Sequence, residues 1–288
     1  MANRTALADI VLTAFAPLVW GSTYLVTTQA LPPDRPMTAA LLRCLPAGLL
    51  MLAFHRRLPE GFSLLRMTAL AILNIGLFQA LLFVGAYRLP GGVAATLGAV
   101  QPLLVALLAW PLLGLRPTAR GIAAACAGIG GVGLLVLTPA ARLDALGILA
   151  ALGGAACMAL GFVLTRRWAP PMSLMAFTAW QLVLGGTVLL PFAVFMEPPL
   201  PPLEPANVAG YAYLGIVGTA AAYAVWFRGL HRLPPAAAAS LGLLSPVSAT
   251  LLGWAVLGQA LTPGQSAGMA VVLASVWLGQ GAQARKES

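Results

Sequence analysis

Few residues in this 288-residue chain could do chemistry: it has 16 basic residues, seven acidic ones and two histidines. Arg43 is the basic residue set deep in an apolar run, about 16 Å from the run's end near Phe54 if its 11 intervening residues are helical. It is either tied to backbone carbonyls inside a helix bundle or is the partner of a substrate carboxylate. Asp9 lies at the shallow start of another apolar run, where a carboxylate suits the positive end of a helix or couples a proton. The uncharged candidates for a cavity within apolar runs are Trp20 and Tyr24, one helical turn apart, then Asn74, Phe78 and Gln79, Gln101, Tyr223 and Ser245. An apolar cavity with a few such anchors suits a small amphipathic ligand. A phosphorylated one would need more cations than Arg43. No paired acids, His–Glu metal set or serine with a base lies within the runs, so no catalytic residue, metal or cofactor is expected.

The elements that must position these groups follow from composition. The chain is 60% hydrophobic and 8% charged, against about 25% charged in soluble domains, so it belongs in a bilayer. A span needs roughly 20 apolar residues. Ten candidate spans appear at 7–29, 36–54, 64–86, 91–113, 120–138, 145–165, 173–195, 207–227, 236–257 and 264–282. They leave only short connections, and the run from Leu7 to Ala30 reads as a retained span, too long for a secretory signal. With the N-terminus in the cytoplasm, twelve basic residues fall on the inner side and three (Arg35, Arg88 and Arg142) on the outer. Positive residues favour the cytoplasm, so both termini are placed there. The arginines come in ones and twos between spans, which argues against nucleic-acid binding. Cys44, Cys126 and Cys157 read as small packing residues, and His55 and His231 as solvated turn residues.

Half the chain repeats. Shifting Arg88 onward by 144 residues onto Arg232 onward gives 13 identities over the 27 positions 88–114, among them Pro90/Pro234, Pro102/Pro246, Trp110/Trp254 and Gly114/Gly258. Ala80, Phe83 and Gly85 meet Ala224, Phe227 and Gly229 at the same shift, and Gln79 and Gln101 meet Tyr223 and Ser245. Residues 1–143 and 144–288 each hold five spans, and an odd number turns the second repeat upside down. Inverted repeats are a recurrent plan of secondary transporters, with the site between the halves near mid-membrane. Pro102 and Pro246 fall well inside their spans, where proline costs a helical hydrogen bond. Each is a packing kink or a bend that shapes the cavity and flexes during transport.

Trp20-Gly-Ser-Thr-Tyr24, Leu42-Arg43, Ala94-Ala-Thr-Leu-Gly98 with Pro102, and the copy Ala238-Ala-Ser-Leu-Gly242 with Pro246 resemble the EamA branch of the drug/metabolite transporter superfamily over nearly the whole chain. The chain also looks like bacterial YddG-type exporters of aromatic amino acids. The resemblance implies an all-α, ten-helix protein of two inverted five-helix repeats in the bacterial cytoplasmic membrane. It also implies alternating access, a small-molecule substrate and a monomer sufficient for function. Export or facilitation of non-aromatic amino acids, nucleosides or drugs is the alternative, and an intramembrane enzyme or a channel or scaffold are the other classes of function. The glutamate that the family often carries after the fourth and ninth spans is replaced here by Leu115 and Gln259.

Overall fold

The computed structural model describes residues 2–54, 61–116, 118–136, 144–233 and 241–284. His55, Arg56, Arg57, Glu60, Arg142, the repeat residues 234–240, Arg285 and Lys286 lie outside the described residues, as does the side chain of Arg4. Among the described residues there are helices and no strands. In chain order they are α1 (Ala2–Ala30), α2 (Pro36–Phe54), α3 (Leu64–Ala71), the π-helical segment π1 (Ile72–Leu77) and α4 (Phe78–Arg88). Next come α5 (Gly91–Gly98), α6 (Gln101–Leu113), α7 (Ala119–Val136), α8 (Ala145–Trp168), α9 (Leu174–Phe195) and α10 (Pro205–Ala212). A second π segment, π2 (Tyr213–Ala221), precedes α11 (Ala222–Arg232), α12 (Leu244–Leu257) and α13 (Pro263–Ala284).

Seven helical stretches among the described residues are long and apolar enough to cross a membrane: Leu7–Ala30, Pro36–Phe54, Leu64–Arg88, Gly91–Leu113, Ala145–Trp168, Leu174–Phe195 and Pro205–Arg232. Ala119–Leu135 and Leu244–Leu257 are shorter apolar helices. Large apolar side chains lie bare on the outside, Phe54, Leu65, Phe195 and Trp254 among them, as a bilayer-facing surface requires. The interior is divided among several clusters, one joining Leu41, Phe83 and Leu214 and another joining Cys44, Ile75 and Leu182.

Local chemistry sets the helix ends. Asp144 accepts from the Gly147 N–H at 2.7 Å and Ser173 from the Ala176 N–H at 3.3 Å, each capping the helix that follows. Glu204 and Asn207 form a reciprocal capping box before α10. At the other end, Gly114 (φ 72°) and Gly258 (φ 63°) close α6 and α12 in the left-handed conformation. The N–H of the following residue reaches back to Ala109 and Gly253 respectively, the geometry for which glycine is selected. Where helices touch most closely the contact residues are glycines. A Cβ on Gly268 of α13 would sit 2.7 Å from the Gly131 carbonyl of α7, and one on Gly21 of α1 would sit 2.5 Å from the Ser245 carbonyl of α12.

The fourth span is interrupted just before Pro102, and the proline is not in mid-helix. α5 ends at Gly98, Ala99 and Val100 form a turn, and α6 starts at Gln101. Pro102 therefore lies in the first turn of α6, where a missing N–H has no intrahelical partner to lose. Pro246 likewise falls in the first turn of α12, after Leu243 at φ −69°, ψ −10°, matching Val100 at φ −74°, ψ −10°. The π segments have no signature in the hydropathy.

Candidate functional site

Arg43 is 4% exposed and projects from the middle of α2 onto π2. Its Nε donates to Thr219 Oγ1 at 3.1 Å, one terminal nitrogen to the Gly218 carbonyl at 3.3 Å and the other to Thr23 Oγ1 of α1 at 3.5 Å. Its guanidinium lies 5.9 Å from the centre of the Phe83 ring. All these partners are neutral. The ion pairs among the described residues join Arg88 to Asp144, and Arg228 and Arg232 to Asp9.

Gly218 belongs to π2, which replaces the ordinary four-residue bonding of the helix by a five-residue one. The Ala222 N–H shows the pattern, reaching back to the Val217 carbonyl, and the Thr219 hydroxyl donates to the Leu214 carbonyl at 2.9 Å. The same Gly218 oxygen accepts from Trp20 Nε1 at 3.1 Å, so it anchors both the cation and an indole. Trp20 in turn packs against Tyr223 (ring centroids 5.7 Å) and Trp226 (5.4 Å), and Tyr223 stacks on Phe227 at 5.5 Å and 9°. A buried cation and a wall of four aromatic rings thus meet where α1, α2, π2 and α11 cross. This arrangement can hold an anion beside a flat apolar body.

Of the residues singled out in the sequence, Trp20, Arg43 and Tyr223 come together here. Asn74 sits on π1, donating to Gln181 Oε1 of α9 at 2.7 Å and to Thr165 Oγ1 of α8 at 3.5 Å. Gln79 is 1% exposed, and its Oε1 has no hydrogen-bond partner among the described residues. Phe78 packs on Gly154 of α8. Tyr24, a turn beyond Trp20, faces Gly91 and lines a crevice of about 10 Å³ with Leu89, Ala249 and Gln259, too small for a metabolite. Ser245 lies where α12 meets Gly21, and Gln101 opens α6 beside the turn. A groove of about 330 Å³ between α6, α7 and α8 is lined by Leu103, Leu107, Ile129, Val132 and other small or aliphatic residues. It has no polar group to orient a ligand and contains none of the singled-out residues.

Sequence reasoning passed over Thr23, Thr219, Gln181, Trp226 and Phe227. Gln181 is as polar and as deep in its run as Gln79, and the same rule would have found it. Thr219 and Gly218 carry no such signal, since their role comes from the π geometry. Gln259, in the place of the family's glutamate, accepts from the Gly91 N–H at 3.3 Å and so still serves the start of α5.

Asp9, 14% exposed on its side chain, lies 2.7 Å from Arg228 and 3.5 Å from Arg232 at the end of α11. Arg88 at the end of α4 takes Asp144, the residue that caps α8, at 3.0 Å. Arg88 and Arg232 are equivalent in the repeat, and each meets an aspartate at the start of the first helix of the opposite half.

The EamA-like transporter family matches the chain twice, over residues 7–137 and 145–279. Protein PecM of Dickeya dadantii (strain 3937) is 44% identical over 265 residues, covering 91% of this chain and 89% of its own. The uncharacterized inner membrane transporter YedA of Escherichia coli (strain K12) is 27% identical, covering 91% and 87%. A solved crystal structure superposes over 98% of this chain and 99% of its own with a TM-score of 0.66, at 21% identity, a likeness of fold. The chain therefore belongs to the EamA-like transporter family, as a multi-pass membrane transporter of small metabolites with bacterial inner-membrane relatives.

Proposed function

We propose that the protein exports small amphipathic metabolites, aromatic amino acids and their analogues foremost, by alternating access through a site between its halves. In this reading ten spans form two inverted repeats, 1–143 and 144–288, with both termini in the cytoplasm, and one monomer suffices. The substrate's carboxylate docks on Arg43 and its ring on Trp20, Tyr223 and Phe227. The observation that carries the reading is a deeply buried guanidinium with neutral partners only, sharing its carbonyl anchor with an indole. Holding a charge there without an anion costs several kcal/mol, and a substrate carboxylate would supply the missing partner.

The recurrence of helix ends at a shift of 144 supports the two-repeat reading. α4 over Phe78–Arg88 falls on α11 over Ala222–Arg232, and the glycines ending α6 and α12 fall on each other. Asp9 with Arg228 and Arg232, and Asp144 with Arg88, then tie the halves together at opposite membrane faces, as ties that break alternately would.

Uptake of labelled phenylalanine and tryptophan into proteoliposomes tests the reading, with alanine and a nucleoside for comparison. Aromatic flux that falls in Arg43→Gln supports it. Flux of the comparison compounds alone keeps a transporter and removes the aromatic substrate.

A further inference from the structure

The polar contacts of Arg43 and of Gln181 are two copies of one arrangement, a relation that the 144-residue shift hides. α2 and α9 cross with Gly48 against Leu182 and Val183, and Gly186 against Leu45. Moving Gly48 onto Gly186 is a shift of 138 residues, and the same shift takes Arg43 onto Gln181. The π segments start 141 residues apart and end 144 apart, and the 144-residue shift takes Asn74 onto Gly218 and Gln79 onto Tyr223. Arg43 donates to the Gly218 carbonyl, and Gln181 accepts from the Asn74 carboxamide. Each node joins the second helix of one half to the π segment of the other. Thr23 of α1 completes the first node and Thr165 of α8 the second. One node is cationic and the other is made of two uncharged carboxamides. Gln181 lies about level with Gly48, so the nodes are separated by roughly 8 Å along α2 at 1.5 Å per residue.

In the chain, Gln79 lies between Asn74 of the second node and the Phe83 that underlies the first. On one side it follows Asn74 by five residues, across the join of π1 and α4. On the other it precedes Phe83 by four, and the Phe83 ring is the one beneath the Arg43 guanidinium. Its buried Oε1 is without a partner among the described residues. Such an acceptor is costly to leave unmatched, and a ligand donor is what would match it. The repeat mate, Tyr223, is spent in the aromatic wall, so the two halves offer different chemistry to the two ends of one substrate.

We infer that Gln79 is a specificity-determining residue that accepts a hydrogen bond from an uncharged N–H or O–H on the substrate's ring while Arg43 holds its carboxylate. The preferred substrate class is then an aromatic carboxylate whose ring bears such a donor, an indole or a phenol over a bare phenyl. This rests on the exporter reading for the placement of the carboxylate, and binding separates the two. Competition against labelled tryptophan on the purified, detergent-solubilised full-length protein reads the inference, and proteoliposome flux reads export.

For the intact protein, 1-methyltryptophan is expected to compete about tenfold more weakly than tryptophan, and phenylalanine more weakly than tyrosine by a similar factor. In Gln79→Leu both contrasts disappear and phenylalanine affinity is unchanged. If Gln79→Leu does not fold, Gln79→Met carries the same test. Loss of only the indole contrast identifies an indole N–H as the donor, and loss of only the phenol contrast a phenolic O–H. Contrasts that are absent in the intact protein, that persist in the variants, or a lack of aromatic binding altogether, overturn the inference. Binding with the expected contrasts but no flux leaves the inference standing and removes the exporter.

Discussion

Replacing Arg43 by methionine separates its two roles, because the structural bond and the substrate bond predict opposite outcomes. Its three hydrogen bonds, at 3.1, 3.3 and 3.5 Å, all go to neutral acceptors, and two are longer than the usual N–H···O range. Bonds to a charged group contribute about 1.5–3 kcal/mol each when well made, so these fall at or below the low end. Against them stands the desolvation of a guanidinium that is 4% exposed, several kcal/mol even after relaxation. The partners are not stranded by its loss. The Gly218 carbonyl keeps Trp20 Nε1 at 3.1 Å, and the Thr219 hydroxyl keeps the Leu214 carbonyl at 2.9 Å. Methionine fills much of the vacated volume. The terms nearly cancel, and Arg43→Met is expected to change stability by no more than about 1 kcal/mol, read as the thermal unfolding midpoint in detergent. Affinity for an aromatic carboxylate should drop about a hundredfold, the loss of a charge-assisted pair worth about 3 kcal/mol. A large fall in the midpoint with binding retained would refute the reasoning and make Arg43 a structural cation.

Gln79→Leu is expected to hold or raise the unfolding midpoint, since it removes a buried unpartnered oxygen that costs about 1–3 kcal/mol; a clear drop in the melt would mean that the carboxamide is satisfied. Asp9→Asn should lower stability by about 1–2 kcal/mol by loosening α1 from Arg228 and Arg232, while the pH profile of transport stays as it was. A profile that flattens in this variant would instead make Asp9 the proton-coupling group. The Gly147 N–H, and after it the Arg88 guanidinium, hold the Asp144 carboxyl below the usual carboxylate range. A carboxyl lowered in the folded state stabilises above its unfolded value, near pH 4, and that contribution is lost as pH falls through the lowered folded value. Melts of wild type and Asp144→Asn should therefore converge on acidification and separate toward neutrality. Gly268→Ala places a Cβ 2.6 Å from the Leu135 nitrogen and 2.7 Å from the Gly131 carbonyl. It should cost about 3 kcal/mol, seen as poor recovery of folded protein by size exclusion.

The helices were legible because hydropathy and punctuation report burial in lipid directly. Leu31-Pro-Pro-Asp-Arg-Pro36 and Glu197-Pro-Pro-Leu-Pro-Pro202 interrupt the apolar runs where the helices stop. The site was legible in part. Arg43, Trp20 and Tyr223 were found because charge and aromatic bulk are expensive or conspicuous at that depth. Their meeting point was not, since it is a backbone oxygen, and Gly218 is silent in any reading of side chains. Tyr24 shows the limit of helical periodicity. It shares a face with Trp20 on paper, yet one turn along α1 the neighbouring element has changed from α11 to α5 and α12. Pro102 shows a different limit, because the proline marks where the helix is interrupted but not on which side of it the interruption falls.

The two shifts, 138 and 144, explain why the halves can differ where it matters. α2 and α9 start at Pro36 and Leu174, 138 apart, and α3 and α10 start at Leu64 and Pro205, 141 apart. The π segments also start 141 apart, at Ile72 and Tyr213, but end 144 apart, at Leu77 and Ala221. Three of the six extra residues are therefore absorbed in α9, which is 22 residues long against 19 for α2, and three in π2, which has nine against six in π1. A π helix is how a span takes in residues without breaking. The longer segment is also the one whose Gly218 carbonyl meets Arg43 and Trp20. The shorter one presents the Asn74 side chain to Gln181 instead. The polar contact is thus to a backbone carbonyl in the longer segment and to a side chain in the shorter one. A near-symmetric pair of helix crossings thereby has a cationic end and a neutral end, and under the proposed function such a site would hold an asymmetric metabolite in a single orientation.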